Sequence, residues 1–262
     1  MGVDVLRLEP HGPDTFVGES PAYEWGRIYG GLVIAQALRA AMRTVDSEGH
    51  VVHSLHAYFI LGGNPCEPVR YEVDRLRNGR SFTTRQVVAR QSGGAILNLS
   101  ASFQKPEEGP DVSSVSFPRD VRPPEGLPSS GWGIALDLRL EVESRTPPCL
   151  RQWVRFTDAI ADHPDDHYAA LAYLSDAGLM DAVFAAHPFP LGDRKFDEVF
   201  MAASLDHVVW FHRPVRADQW LLFDMKPEQL IGSRGLATGN VFTRDGVLVA
   251  TLAQQGLVRQ RR

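Results

Sequence analysis

The feature of this sequence that most limits its fold is a plan that occurs twice, once on each side of a proline-rich stretch. From Gly30, the apolar Ile34, Leu38, Ala41, Met42 and Val45 recur at helical spacing with Gln36, Arg39 and Arg43 between them, which predicts an amphipathic helix. Strand-like segments follow at 52–60, 69–73, 81–91 and 97–103, the second and last alternating apolar with polar as in a sheet with one buried face. Asn78-Gly79 between them is a hairpin-turn dipeptide. Past the prolines, 134–142 alternates strictly and 152–156 is a second short strand. A helix is then predicted from about 168 to 184 through Ala172, Leu179 and Val183, capped by Asp165 or Asp166. Further strands are expected at 200–212, 220–224, 236–243 and 247–257.

The two halves share more than element order. Ser54-Leu55-His56 and Ser204-Leu205-Asp206 hold the same place, followed by the aromatic pairs Tyr58-Phe59 and Trp210-Phe211. A duplicated unit, one helix with its antiparallel sheet, accounts for this most simply. The stretch 105–130 holds Pro106, Pro110, Pro118, Pro123, Pro124 and Pro128 and reads as a stiff, extended connection. The expected division is therefore a first repeat over 1–110, a linker over 111–132 and a second repeat over 133–262.

Composition narrows the classes of function. With 27 basic and 32 acidic residues the net charge is −5. That argues against a surface built to coat nucleic acid, and leaves an anionic partner to a local basic patch. Cys66 and Cys149 lack the spacing of a disulfide framework or a structural zinc site, which fits a reducing cytoplasm. The N-terminal residues carry Asp4, Glu9 and Asp14 without an apolar run, so no secretory signal is expected there. No unbroken apolar stretch approaches the roughly 18 residues needed to span a bilayer, and no membrane insertion is expected. His163-Pro164-Asp165-Asp166-His167 has the composition of a metal cluster, but its place before a helix favours a solvated cap.

The first half carries Gly26-Arg27-Ile28-Tyr29-Gly30-Gly31, 52–59 as Val-His-Ser-Leu-His-Ala-Tyr-Phe, and Asn78-Gly79-Arg80-Ser81-Phe82. The second carries Ala172-Tyr173-Leu174-Ser175-Asp176, Ser204-Leu205-Asp206-His207, Trp210-Phe211-His212-Arg213-Pro214 and Ala253-Gln254-Gln255-Gly256. In this order, from about residue 14 onward, these runs resemble the acyl-CoA thioesterase II family. The resemblance implies an α+β double hotdog: two long helices, each wrapped by an antiparallel sheet, with the sheets joined edge to edge. It also implies hydrolysis of fatty acyl-CoA to free fatty acid and coenzyme A without metal or redox cofactor, and self-association as a homodimer or larger homo-oligomer. The family's catalytic Asp, Thr or Ser, and Gln fall on Asp176, Ser204 and Gln254. The sequence departs from the family between Lys226 and Ser233, where a serine-rich loop is usual, and at Gln255, where a Glu is usual.

The chemistry agrees with that assignment. A thiol's pKa near 8.5 makes it a good leaving group without a strong acid, so an activated water and a polarised carbonyl suffice. A carboxylate at Asp176 can take a proton from water, while the Ser204 hydroxyl and the Gln254 amide can hold and orient that water. A serine nucleophile served by histidine is disfavoured. On a regular strand His207 faces away from Ser204, and His212 lies about 26 Å along.

Asp206 shares the face of Ser204 and is expected to bond a neighbouring loop or support the site. His53 and His56 read as packed strand histidines, Gln36 as the neutral counterpart of Asp176 in a half that has lost its own site, and Gly30-Gly31 as a close packing point or an oxyanion contact. Arg80, Arg85 and Arg234 are candidates for the coenzyme A phosphates. Two rival readings are a hotdog enoyl-CoA hydratase and a non-catalytic acyl-CoA-binding module. The hydratase pattern needs a His five residues after the Asp, where this sequence has Asp181.

Overall fold

The computed structural model describes residues 3–46, 49–131, 134–189 and 196–261. Strands β1 (Glu9–Pro10) and β2 (Thr15–Gly18) precede helix α1 (Gly30–Met42), after which β3 (Val51–Phe59), β4 (Val69–Asn78), β5 (Phe82–Gln91) and β6 (Gly94–Gln104) follow. The second half opens with the hairpin β7 (Leu136–Arg145) and β8 (Pro148–Phe156), then α2 (Pro164–Ser175), α3 (Leu179–Ala185) and the single turn α4 (Phe196–Val199). It closes with β9 (Phe200–Ser204), β10 (Asp206–Phe211), β11 (Leu221–Ile231), β12 (Arg234–Thr243) and β13 (Leu248–Gln260).

The strands form one continuous antiparallel sheet in the order β1-β2-β4-β5-β6-β3-β10-β13-β12-β11-β8-β7, with β9 also on β13. Helix α1 packs on the sheet of the first half, α3 on that of the second, and α1 and α2 pack on each other. This is a double hotdog. The halves join at β3 and β10, where Asp206 stands opposite Tyr58 and Trp210 opposite Ser54. The strand bearing Ser54-Leu55-His56 therefore lies directly against its counterpart.

Helix α1 is expected to be amphipathic and is instead buried nearly all round: only Gly30 and Arg39 escape full burial. Its own sheet covers one side and α2 the other, so its polar residues must find protein partners. Gln36 does so with the carbonyls of Val5 and Glu19 and the Tyr71 hydroxyl, and Arg39 pairs with Asp166 of α2. Leu32, Ile34 and Leu38 are fully buried, each contributing about 1.5–3 kcal/mol of transfer free energy.

The single helix expected over 168–184 is two helices. The chain turns at Asp176-Ala177-Gly178, where Gly178 adopts φ 109° and the Gln152 amide donates to the Ala177 carbonyl. The cap position of α2 is His163, ahead of Pro164, with Asp165 and Asp166 in the first turn. The strand expected over 200–212 breaks at Leu205 into β9 and β10, both on β13. The divergent 226–233 segment is the end of β11, bulged between Pro227 and Gln229, and a tight turn with Gly232 and Ser233 both at positive φ.

The proline-rich stretch is strapped to the second half. Phe117 packs edge-on against Phe242, the Trp153 indole donates to the Arg122 carbonyl, and Arg213 and Arg244 hold Asp111 and Glu125. The expected boundary at 132/133 lies outside the described residues.

The β3·β10 seam generates a test. Residues 1–110 expressed alone leave the backbone groups of a nine-residue strand unpaired along one edge, a template for aggregation. The fragment is expected to aggregate or remain unfolded by light scattering and circular dichroism; a soluble monomer with a cooperative unfolding transition would refute this.

Candidate active site

Asp176 owes its position to the interruption between α2 and α3. As the residue capping α2 at its C-terminal end, it is carried to the N-terminus of α1, where a Cβ on Gly30 would sit 2.7 Å from its Oδ2. The approach depends on glycine: a Cβ on Gly31 would overlap the Tyr173 carbonyl oxygen, and the Tyr29 hydroxyl donates to that same oxygen at 3.0 Å. Burial pushes the Asp176 carboxyl up to about 7, with a further rise from Asp181; hydrogen bonds from the Gln254 amide and the Gly31 backbone N–H oppose it. A carboxyl placed in this way is a proton acceptor poised near neutral pH.

Gln254, on β13, joins the site together. Its Nε2 donates to Asp176 Oδ1 at 2.8 Å and to Ser204 Oγ at 2.6 Å, so both amide protons are engaged. The side chain is completely buried and does not line the cavity in front of Asp176 and Ser204. Gln254 therefore fixes the carboxylate and the hydroxyl rather than holding water itself, as the sequence suggested. Because Ser204 Oγ accepts from Gln254, its own O–H is free to point into the cavity.

That cavity, about 400 Å³, opens at the seam between the halves. Asp176 and Ser204 stand in its wall with the apolar Ile28, Val33, Phe59, Ile96, Met180 and Phe184. Trp25, Ile60 and Leu61 also line it and stay largely exposed, together with Arg27. Both repeats thus build one site, the first providing the start of α1 and the second the three polar side chains.

The other candidates separate cleanly. Asp206 accepts from the Gln255 backbone N–H at 2.9 Å and stabilises the break between β9 and β10. His53 bonds Ser102, His56 packs edge-on against Trp210, and His212 bonds Thr251, all away from the cavity. Gln36 is a structural amide with every polar atom engaged. Arg85 is fully buried and bound to Thr44, Arg77, Thr84 and Asn78, so it cannot meet a phosphate. Arg80 and Arg234 are exposed but do not line the cavity.

The break at Leu205 removes the regular alternation between Ser204 and His207, yet His207 Nε2 lies 2.8 Å from Ser175 Oγ and the ring does not line the cavity with Ser204. Among the described residues no cluster suited to a metal ion occurs, and the run 163–167 forms the start of α2.

The fold and this constellation define a double-hotdog thioesterase. Residues 20–104 match the acyl-CoA thioesterase N-terminal domain and 100–258 the C-terminal domain. The chain is 36% identical to acyl-coenzyme A thioesterase 8 of Mus musculus over 97% of its length and 88% of the relative's. It is 32% identical to acyl-CoA thioesterase 2 of Haemophilus influenzae over 98% and 96%. The crystal structure of the acyl-CoA thioesterase II TesB2 from Mycobacterium marinum superposes with a TM-score of 0.85 at 36% identity, covering 98% of this chain and 96% of that one. The chain belongs to the acyl-CoA thioesterase II family.

The close approach at Gly31 can be tested directly. Gly31→Ala drives a methyl group into a backbone oxygen, and is expected to lower unfolding free energy by about 1–3 kcal/mol and to reduce kcat by moving α1 from Asp176. Gly93→Ala, whose Cβ meets open space, should stay within about 0.5 kcal/mol of the parent. Denaturant titration with kinetics on the same samples checks both; equal behaviour of the two variants would reject the role given to Gly31.

Proposed function

We propose that the chain hydrolyses fatty acyl-CoA to free fatty acid and coenzyme A, with Asp176 as general base for one water. The observation that carries this reading is the convergence of Asp176 and Ser204 on the Gln254 amide at the wall of a largely apolar cavity. The acyl chain lies among Ile28, Phe59, Ile96 and Phe184, with the thioester carbon beside Asp176. Water oxygen attacks that carbon while its proton passes to the carboxylate. The Ser204 O–H and the amides at the start of α1 face the carbonyl oxygen as it gains negative charge. The tetrahedral species then breaks its C–S bond, and the sulfur leaves as thiolate and takes the proton back from Asp176.

Arg27 is the cation that lines this cavity among the described residues. Its aliphatic stem lies along Gly62, with the Cδ 3.2 Å from where a Cβ would stand. It replaces Arg85 as the candidate partner for a coenzyme A phosphate. No helix among the described residues is long and apolar enough to cross a membrane. A reducing, cytoplasmic compartment is supported by the free Cys66 and Cys149. Self-association is supported by the exposed Trp25, Tyr58, Ile60 and Leu61; sedimentation at micromolar concentration showing only the 29.0 kDa species would refute it.

Asp176→Asn separates chemistry from stability. Loss of the proton acceptor should reduce turnover by roughly 10²- to 10⁴-fold. The same change should stabilise the fold above neutral pH. A carboxyl titrating near 7 in the folded chain instead of 3.8 forfeits up to about 4 kcal/mol once ionised, less where cavity water reaches it. The forfeit is absent below pH 3.8, grows up to about 7 and is constant beyond. The Tm of Asp176→Asn should therefore exceed the parent's at pH 8 and match it at pH 4, while the parent's kcat rises with pH through about 7. Full turnover in a folded Asp176→Asn protein would end the assignment.

Arg27→Ala should raise KM for acyl-CoA several-fold and flatten its dependence on ionic strength, with kcat within about twofold of the parent. Unchanged salt dependence of KM would move the phosphate contact elsewhere.

A further inference from the structure

Two glycines form the seat of α3. Gly235 and Gly256 stand opposite each other on β12 and β13. A Cβ on Gly235 would overlap Val183, and one on Gly256 would overlap the Met180 thioether. Neither glycine has a positive φ, so what each provides is space rather than backbone freedom. The helix is thereby laid directly on the sheet, with Leu179, Ala182 and Val183 fully buried. Met180 and Phe184, one turn apart, are instead half-buried and line the cavity.

The place of Gly256 on β13 brings Met180 to the reacting centre. Gly256 is two residues beyond Gln254, so both positions face the same side of the sheet, and it pairs with Ser204 of β9. The thioether resting on Gly256 therefore lies about one strand spacing, roughly 5 Å, from the backbone of Ser204. Beside Ser204 the cavity is also lined by the small Ala202 and Ala203. A chain that runs from a thioester beside Asp176 to Phe184 passes Met180.

The direction in which Met180 can move is set by its surroundings. Below it is the β13 backbone, and Val183 seated on Gly235 holds the helix down. A methyl group at Gly256 would also stand 3.3 Å from the Ala203 carbonyl oxygen, which is backbone, so the flexible end of Met180 is what yields. The space open to it is the cavity. At about 400 Å³ that cavity takes up roughly a dozen groups the size of a water molecule, so a methionine side chain is a sizeable share of its width.

We infer that Met180 is a specificity-determining residue whose thioether limits the length of acyl chain the cavity admits, and that Gly256 sets how far that thioether reaches. The inference rests on the acyl-CoA hydrolase reading of the same site. It makes medium-length straight chains, of about eight to ten carbons, the acyl groups that fill the cavity best.

Thiol release from straight-chain thioesters between butanoyl-CoA and hexadecanoyl-CoA, with the full chain as enzyme, gives kcat/KM against length. Gly256→Ala should lower the dodecanoyl-to-hexanoyl ratio of kcat/KM about 10-fold, since roughly two methylene groups lose their place at about fourfold each. Met180→Ala should raise that ratio by a similar factor. The double variant should behave as Met180→Ala does, because the added methyl group then has nothing to displace. Gly93→Ala, whose Cβ meets open space, should keep the parental profile. A ratio unmoved in Met180→Ala, or a Gly256→Ala effect that persists in the double variant, overturns the inference; the Met180→Ala arm decides alone if Gly256→Ala does not fold. An Asp176→Asn protein with full turnover would instead end the underlying reading, so the two failures are distinguishable.

Discussion

The site depends on a carboxyl group held half-buried between two helix ends. Asp176 is brought into contact with the first turn of α1 by three local features: the end of α2, the positive-φ Gly178 behind it, and the absence of side chains at Gly30 and Gly31. A side chain at Gly30 or Gly31 would crowd the carboxyl or the Tyr173 carbonyl and force α1 away from it. Its raised affinity for protons is thus a consequence of packing. The same packing also limits the effect, because an amide and a backbone N–H remain to share the charge.

Much of this was legible in the sequence, for identifiable reasons. The duplicated plan showed because period and alternation survive in each half, and Asp176, Ser204 and Gln254 could be placed from motifs around them. The interruptions were not legible. Gly178 sits inside a run whose apolar spacing continues through Leu179 and Val183, so periodicity gives no sign that the helix stops. Leu205 likewise lies within an alternating stretch, and only pairing of both flanking segments with β13 shows the break.

The errors in assigning roles have a related cause. A continuous strand places Ser204 and His207 on opposite faces, a regularity that the break at Leu205 removes. A surface-type reading of α1 left Gln36 and Arg39 as solvent-facing, whereas burial on both sides turns them into bonded interior groups. Charge alone nominated Arg85, yet its guanidinium satisfies the carbonyls of Arg77 and Thr84 beside the β4–β5 turn and of Thr44 after α1. In each case the residue type was read correctly and its solvation was not, because solvation depends on which elements meet in space.

The contrast between the halves follows the same distinction. In the first repeat two large buried polar side chains are fully engaged: Gln36 makes three hydrogen bonds and Arg85 five. Groups engaged in this way stabilise a fold and have nothing left for a substrate. In the second repeat the Ser204 hydroxyl proton and part of the Asp176 carboxylate face the cavity instead. The first repeat still takes part, since the amides beside Asp176 belong to its helix. Duplication thus divides the labour: one copy supplies the buried helix start, and the other can keep the unsatisfied groups that catalysis requires.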